Sequence, residues 1–191
     1  MDQYQSLVLR IEELERRVGQ MVIRGKIAEV DPAKHVARVA YGPKGKQLTG
    51  WLQWKPMRTG KAITWWCPEV GEGVTVISEG DLALGEILPG SYHAEFPAPS
   101  DNPDEYLVLF GDDSKISHDR SSHKLVVVNK GDVDVTAEGA VTAKAKGAIT
   151  VETEQTLTVK AASNMQLSTD ADMTLKAGGN MKLTASRIDF N

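Results

Sequence analysis

Side chains suited to catalysis or metal binding are few in this chain, and their spacing does not predict a site. His118 and His123 have neither the His-x-His spacing nor the i, i+4 spacing that directs two imidazoles at one metal. The single cysteine, Cys67, lies in the apolar stretch 63–67 and is interpreted as a core residue. Residues 58–61 (RTGK) are not a phosphate loop, because the earlier glycine of that motif and the Ser or Thr after its lysine are absent. With no nucleophile–base set or carboxylate pair at a recognisable spacing, we predict no enzymatic activity and no cofactor.

The tryptophans permit two interpretations, stacking or packing. Trp51, Trp54, Trp65 and Trp66 would suit a stacking platform for single-stranded nucleic acid or a sugar. The chain is acidic, however, with a net charge of −4, and Leu, Ile and Cys are interleaved with these rings. We therefore favour a role in a barrel core or in a contact between subunits.

Length and charge narrow the class of protein. A chain of 191 residues makes one or two domains. Acids and bases are interspersed, so a specific nucleic-acid partner is not expected. No apolar run approaches the length of a membrane-spanning helix. Charged and apolar residues mix at the start of the chain, which is unlike a signal peptide, so we expect synthesis in the cytosol.

The strongest pattern is a period of eight residues that begins at Asp132. The octads are 132–139, 140–147, 148–155, 156–163, 164–171, 172–179 and 180–187. The second and fourth positions are apolar, and the sixth is always Ala or Thr. Alternate apolar positions indicate a short strand, and the Gly, Ser, Asn, Asp and Gln between octads favour a corner after each strand. Such a period determines the architecture.

An octad is too short to close a turn of a β-solenoid by itself, so its apolar edge needs equivalent edges from other chains. Three intertwined chains would make a triangular column without a free sheet edge. The alternative, a single-chain parallel β-helix, uses longer or differently phased units. We therefore predict a homotrimeric, triple-stranded β-helix. Its predicted core residues are Val133, Val135, Val141, Ile149, Val151, Leu157, Val159, Met165, Leu167, Met173, Leu175, Met181 and Leu183.

The first part of the chain reads as a helix and a small barrel. Apolar residues at 7, 11, 14, 18 and 21 have coiled-coil spacing, so 1–21 is predicted as an N-terminal helix. It would pack either in a bundle with the helices of other chains or against the domain of its own chain. Strands are predicted at 25–30, 35–41, 48–54, 73–78 and 82–88, with a turn at 31–34. They predict an OB-type Greek-key barrel over 22–92. A Pro-rich linker at 93–107 and the stem at 108–191 follow.

Three strings in this part of the chain are distinctive. They are WLQW (51–54), WWCPEVGE (65–72) and LPGSY (88–92), and they precede the octads. In this order they resemble the baseplate assembly protein V family, the central spikes of contractile phage tails and of R-type pyocins. The resemblance covers essentially the whole chain. It implies a mainly β homotrimer whose helix and OB-type domain dock the tail tube and whose stem points at the target cell.

The end of the chain departs from that family. Several of its spikes end in a His-x-His pair that holds iron, whereas no histidine follows His123 here, so no apical iron is expected. The octad phase would turn Asp189 inward, where three carboxylates would need a cation. A slip of one residue would instead turn Ile188 and Phe190 inward and leave Asp189 in water. We favour the slip because it buries two apolar side chains.

The resulting hypothesis is a mechanical protein. The resemblance implies a spike that caps the tail tube and is driven through the outer membrane of the target cell when the sheath contracts, within an extracellular particle. Its partners would be two further copies of the chain and proteins of the tube and baseplate. The alternative is a trimeric OB-fold binding module for oligosaccharide or single-stranded nucleic acid, which predicts exposed tryptophans.

Overall fold

The computed structural model describes residues 3–189, so the predicted inward placement of Phe190 lies outside the described residues. The chain divides into two compact units, one ending at Asp134 and one beginning at Val135. The first unit holds one helix and nine strands among the described residues. This confirms a mainly β chain with one N-terminal helix. No helix in the described range is both long and apolar enough to cross a membrane.

Helix α1 spans Gln3–Met21 and ends against the barrel. The Ser78 amide donates to the Met21 carbonyl at 2.8 Å, and the Ser78 hydroxyl donates to the Gln20 carbonyl at 2.6 Å. These bonds satisfy carbonyls that the end of a helix leaves without partners. Gly80 has φ +93°, and a Cβ there would lie 2.9 Å from Arg17 Cβ. The last turn of α1 therefore depends on a glycine beneath it.

The next strands close into a barrel. They are β1 (Val22–Asp31), β2 (Val36–Tyr41), β3 (Gln47–Leu48), β4 (Leu52–Trp54), β5 (Gly73–Ile77) and β6 (Glu86–Ser91). The order is β1-β5-β6-β4-β2-β3, and an additional β1–β2 pairing closes the ring. Only the β4–β6 pair is parallel among the described strands. The core residues are Ile27, Ala37, Val39, Leu52, Trp54, Val74, Val76, Leu82 and Ile87.

Two of the predicted barrel strands were wrong in extent. The strand predicted at 82–88 is a 3-10 turn at Leu82–Leu84 followed by β6, because Asp81 Oδ1 accepts from the Ala83 amide at 2.9 Å. The strand predicted at 48–54 is divided between β3 and β4. Thr49 interrupts it, since its Oγ1 is buried and accepts from the Val39 amide at 2.9 Å. The turn predicted at 31–34 is confirmed between β1 and β2.

A three-stranded antiparallel sheet, which we call the meander, follows the barrel. Its strands are β7 (Glu105–Leu109), β8 (Lys115–Asp119) and β9 (Lys124–Val128). Strand β7 begins inside the linker predicted at 93–107, and the meander groups with the first unit. The meander was not predicted from the sequence, because β7 and β8 have no octad period.

The second unit carries the octads. Its backbone bends at 138–139, 146–147, 154–155, 162–163, 170–171, 178–179 and 186, in steps of eight residues. These are the seventh and eighth positions of successive octads, except that only the seventh bends in the last. The corners predicted from the sequence are therefore present. Within the described residues of the single chain, the segments between bends pair with no other strand.

Candidate assembly surfaces

The second and fourth octad positions form an uncovered apolar edge in the single chain. The predicted core residues of the stem are between 50% exposed, at Met181, and 78% exposed, at Val135. An isolated exposed Leu or Val is ordinary, but a regular series of them along a segment this long marks an interaction surface. The edge therefore has the composition of a core and the accessibility of a surface.

Threonine at the sixth octad position supports the corner that follows it. Thr153 Oγ1 accepts from the Gln155 amide at 3.2 Å, and Thr169 Oγ1 accepts from the Ala171 amide at 3.2 Å. Both bonds join the sixth position to the eighth, which is the geometry of a Ser/Thr turn. The two octads with Thr at the sixth position end in Gln and Ala, whereas most of those with Ala end in Gly or Ser. The sixth position thus contributes to the corner as well as being small.

The octad phase extends one octad further back than its predicted start at Asp132. Residues 124–131 (KLVVVNKG) place Leu125 at the second position, Val127 at the fourth and Gly131 at the eighth. The backbone bends at 130–131, which are again the seventh and eighth positions. The period itself could have revealed this unit, but Asn129 replaces the usual Ala or Thr at the sixth. Residues 124–131 are therefore an additional octad, which we call octad zero, and strand β9 forms its first five residues.

One face of the meander is apolar and exposed. In the β7–β8–β9 register, Tyr106 lies opposite His118 and His118 opposite Leu125, and Val108, Ile116 and Val127 form the next row. These six residues define the meander face. Tyr106, Leu125 and Val127 are each 64% exposed. The second and fourth positions of octad zero, Leu125 and Val127, thus belong to an apolar surface that spans three paired strands.

The corner after octad zero is held by tertiary hydrogen bonds. The Lys130 amide donates to Ser114 Oγ at 3.0 Å, and that hydroxyl donates to Asp112 Oδ2 at 2.9 Å. Ser114 is only 5% exposed. The Ser114 amide and hydroxyl donate to Asp112 and hold the pKa of that carboxyl below its usual range. The β7–β8 turn therefore fixes the corner from which the stem begins.

Asp119 organises the turn between β8 and β9. Its Oδ1 accepts from the Ser121 hydroxyl at 2.6 Å and from the Ser122 amide at 2.8 Å, and Asn102 Nδ2 donates to Oδ2 at 2.9 Å. These donors, with the Ser121 hydroxyl the strongest, hold the pKa of Asp119 well below its usual range. The carboxylate is thus the central acceptor of the turn that pairs octad zero with β8.

The coiled-coil seam of α1 is exposed along its length. Its residues, Leu7, Ile11, Leu14, Val18 and Met21, are between 47% and 66% exposed. Away from the seam, Glu13 accepts from Arg16 Nε at 2.8 Å and from Arg17 Nε at 2.7 Å. These bonds lower the pKa of Glu13 to about 2, and the bond from Arg16 has the larger effect. The helix therefore presents one apolar stripe beside a set of ion pairs.

The tryptophans serve different purposes. Trp54 is 7% exposed and belongs to the barrel core, as predicted, while Trp51, Trp65 and Trp66 are exposed. Trp65 lies edge-on to His35 at 5.1 Å between ring centroids, and Trp66 is stacked on Phe110 at 5.8 Å. The Arg38 guanidinium lies over Trp51 at 5.7 Å. Trp65 also lies 5.5 Å from Trp54, so each exposed ring has at least one contact inside the chain while remaining accessible.

The remaining candidates for chemistry are not brought together as a site. His118 lies on the meander face, and His123 has φ +56° in the β8–β9 turn. In residues 3–189 no group of three or more His, Cys, Asp or Glu could hold a metal. Cys67 is half-buried against the barrel core, and burial raises the pKa of its thiol, which disfavours the reactive thiolate.

At the end of the described residues, Asp189 has a cationic neighbour on its own chain. Arg187 Nε donates to Asp189 Oδ1 at 2.8 Å, and both side chains are largely exposed. Ile188, between them, is 47% exposed. The predicted slip at the tip depends also on Phe190, which is outside the described residues. The Arg187 contact gives the Asp189 carboxylate a partner that does not require an ion.

Comparison with known proteins identifies the barrel and its family. Residues 23–92 match the family described as type VI secretion system/phage-baseplate injector OB domain. The chain is 35% identical over 139 residues to the spike protein of Escherichia phage P2, and this match covers 72% of the chain and 64% of that protein. The matched length exceeds the barrel, so the likeness is not confined to the OB domain. The barrel thus belongs to the injector OB-domain family, and most of the chain is similar to a phage spike protein.

Proposed function

We propose that the chain is the central spike of a contractile tail, from a phage or an R-type pyocin, and that it works as a homotrimer. The observation that carries this proposal is the exposed apolar edge, which repeats with the octads from Val133 to Leu183. The family of the barrel and the likeness to the P2 spike protein support it. In this proposal the barrel and α1 bind the tube and baseplate, and the trimeric stem is the part that meets the outer membrane.

The mechanical role follows from the properties of an intertwined stem. Each buried Val, Leu or Met contributes about 1.5–3 kcal/mol, before the entropy of ordering the chain is subtracted. Strands that pair only between chains cannot be released one at a time, which favours slow unfolding. A narrow column with this property transmits force without any chemistry. The particle assembles from chains made in the cytoplasm and acts outside that cell.

The trimer is tested by the mass of the protein in solution. A chain of 20.8 kDa should give an assembly of three times that mass by native mass spectrometry and by light scattering. Electron microscopy of the particle should place the assembly at the tip of the tube. A monomer at micromolar concentration, or a location away from the tube axis, would contradict the proposal.

A second candidate function has one observation in its favour. Trp65 and Trp66 line an open groove of about 810 Å³ beside Pro89, and base or sugar stacking uses such surfaces. In that case the barrel is a binding module for oligosaccharide or single-stranded nucleic acid. Titration of the tryptophan fluorescence with a homopolymeric oligonucleotide and with a peptidoglycan-derived or lipopolysaccharide-derived oligosaccharide tests it. Saturable quenching that is lost in Trp66→Ala would favour this candidate.

A further inference from the structure

We propose that the meander face is the surface on which three chains first join, and that the stem winds from there in register. The occupant of the face is thus two further copies of this chain. The inference rests on the proposed trimer and adds where its assembly begins. It concerns Tyr106, Val108, Ile116, His118, Leu125 and Val127, which were not among the predicted core residues.

A periodic stem cannot by itself align three chains. If one chain slips by eight residues, every second and fourth position still meets an apolar residue, and every sixth position still meets Ala or Thr. Apart from the unpaired octads at the two ends, the slipped state differs only in which apolar residues meet. Register is weakly specified wherever neighbouring units are interchangeable. A correct trimer therefore needs a part of the chain that does not repeat and that lies next to the octads.

The meander meets both conditions. Strands β7 and β8 have no octad phase, whereas β9 is octad zero and is followed directly by the octad at 132–139. In the single chain, octad zero is the only octad among the described residues that is already a paired strand. The bond from the Lys130 amide to Ser114 also fixes its corner. Octad zero is therefore already folded before a second chain binds.

The chemistry of the meander face suits other copies of itself. Apart from His118, its residues are apolar, and it carries no carboxylate, Lys or Arg. The opposite face also has apolar residues, Leu107, Leu109, Val126 and Val128, but it alone carries charges, at Glu105, Asp119, Lys115 and Lys124. Because Leu125 and Val127 occupy the same octad positions as the predicted stem core, continuity of phase turns the meander face toward the threefold axis. The face that carries the charges is then turned away from the axis.

The order of events follows from chain entropy. Contacts within 105–128 close short loops, so they form without the loss of freedom that joining distant segments requires. Joining three preformed faces then aligns the chains at one level, and each following octad adds to its predecessor. The meander would thus be the folding nucleus of the trimer.

The first experiment compares the two ends of the stem in the full chain. Val127→Lys and Leu183→Lys alter the fourth position of octad zero and of the last octad. We expect Val127→Lys to leave monomers and Leu183→Lys to remain trimeric with a frayed end, as measured by native mass spectrometry. Near-ultraviolet circular dichroism of the barrel tryptophans checks that the barrel is folded. Equal retention of the trimer in both variants would overturn the inference. A monomeric unaltered protein would instead overturn the proposed trimer.

A second experiment applies if Val127→Lys unfolds the meander. Ser114→Ala removes the hydrogen bond to the corner of octad zero, and Thr153→Ala removes one to a later corner. Reassembly of the full chain after dilution from guanidinium is followed by the recovery of trimer. A residue in the nucleus slows assembly, whereas one outside it mainly speeds dissociation. We expect Ser114→Ala to slow reassembly by about fivefold or more and Thr153→Ala to leave it nearly unchanged. The reverse pattern would overturn the inference.

Discussion

Single side chains decide the turns of this molecule, and Asp119 is the clearest case. It serves several donors at once in the β8–β9 turn, which holds octad zero in the meander. A carboxylate is a stronger acceptor than a neutral oxygen because its hydrogen bonds are charge-assisted. The turn therefore depends on the charge as well as the shape of this side chain.

We expect Asp119→Asn to weaken the meander at pH 7. The folded pKa of Asp119 is lowered from 3.8, so its contribution is present above pH 3.8 and is lost as the pH falls through the lower, folded value. Amide hydrogen exchange of β8 and β9, corrected for the intrinsic rate at each pH, measures the effect. Protection should be lower in the variant at pH 7, and the difference should shrink only below pH 3.8. A difference that disappears between pH 7 and pH 5 would contradict this assignment.

The sixth octad position makes a second residue-scale prediction. Thr153→Ala removes the acceptor for the Gln155 amide, and one hydrogen bond of this kind contributes about 0.5–1.5 kcal/mol. Since each trimer contains three copies, we expect a clearly faster dissociation of the trimer in guanidinium. Thr150→Ala, at the third position of the same octad, is the matched control and should dissociate at the unaltered rate. Equal acceleration in both variants would show that the corner bond is unimportant.

The tip makes a third prediction. Because Arg187 pairs with Asp189 on the same chain, we expect the purified protein to hold no stoichiometric cation at its end. Elemental analysis by plasma mass spectrometry, after dialysis against a chelator and then against Ca²⁺ or Fe²⁺, measures it. About one ion per trimer that is lost in Asp189→Ala would show instead that the octad phase continues and that three carboxylates meet on the axis.

At the scale of the element, each octad after octad zero has an apolar edge to bury but, within residues 3–189, pairs with no strand of its own chain. Alternation predicts that the second and fourth positions turn to the axis and that the third turns to water. The edges are uncovered in the single chain, and the corners recur in steps of eight residues. Together these features leave a two-sided strand with one side available for assembly.

We expect Leu157→Asp to block assembly of the trimer. The change would place three carboxylates close together in an apolar column, where an unpaired buried charge is very costly. Thr158→Asp, at the neighbouring third position, is the matched control and should assemble normally. Ile149→Asp and its control Thr150→Asp form a second pair, for which we expect the same two results. Size-exclusion chromatography with light scattering distinguishes the two results. Equal effects at positions 157 and 158 would mean that the inward and outward sides are assigned wrongly.

At the scale of the whole molecule, a conventional barrel with its own core is joined to a stem that has none. The barrel buries Ile27, Val39, Val74, Val76 and Ile87 within one chain. The stem has the apolar residues for a core but exposes them. The barrel is therefore stabilised by contacts within one chain. We expect the stem to be stabilised by contacts between chains, so its formation should depend on protein concentration.

This difference predicts two separate transitions. The unheated full-length protein should migrate as a trimer in dodecyl sulfate electrophoresis, because the stem dissociates slowly, and it should migrate as a monomer after boiling. Unfolding of the barrel, measured by the change in tryptophan fluorescence, should occur at a lower temperature or a lower denaturant concentration than dissociation of the trimer. Migration as a monomer without heating would contradict an intertwined stem.

The sequence by itself determined the features that repeat or that are local. The octad period, the corner positions, helix α1 and the turn at 31–34 all follow from residues close together in the chain. Such features can be predicted because periodicity and turn chemistry act over a few residues. The period also contained octad zero, although the substitution at Asn129 concealed it.

Only the tertiary structure decided the features that join distant residues. The displacement of β6 to Glu86–Ser91, the burial of Thr49 against Val39 and the burial of Trp54 rather than Trp66 depend on which strands become neighbours in the barrel. The placement of His118 on the meander face has the same cause, since it depends on the pairing of β8 with β7 and β9. Such pairings follow from the global fold, because residue propensities in a strand reflect its neighbours in the sheet more than its own sequence.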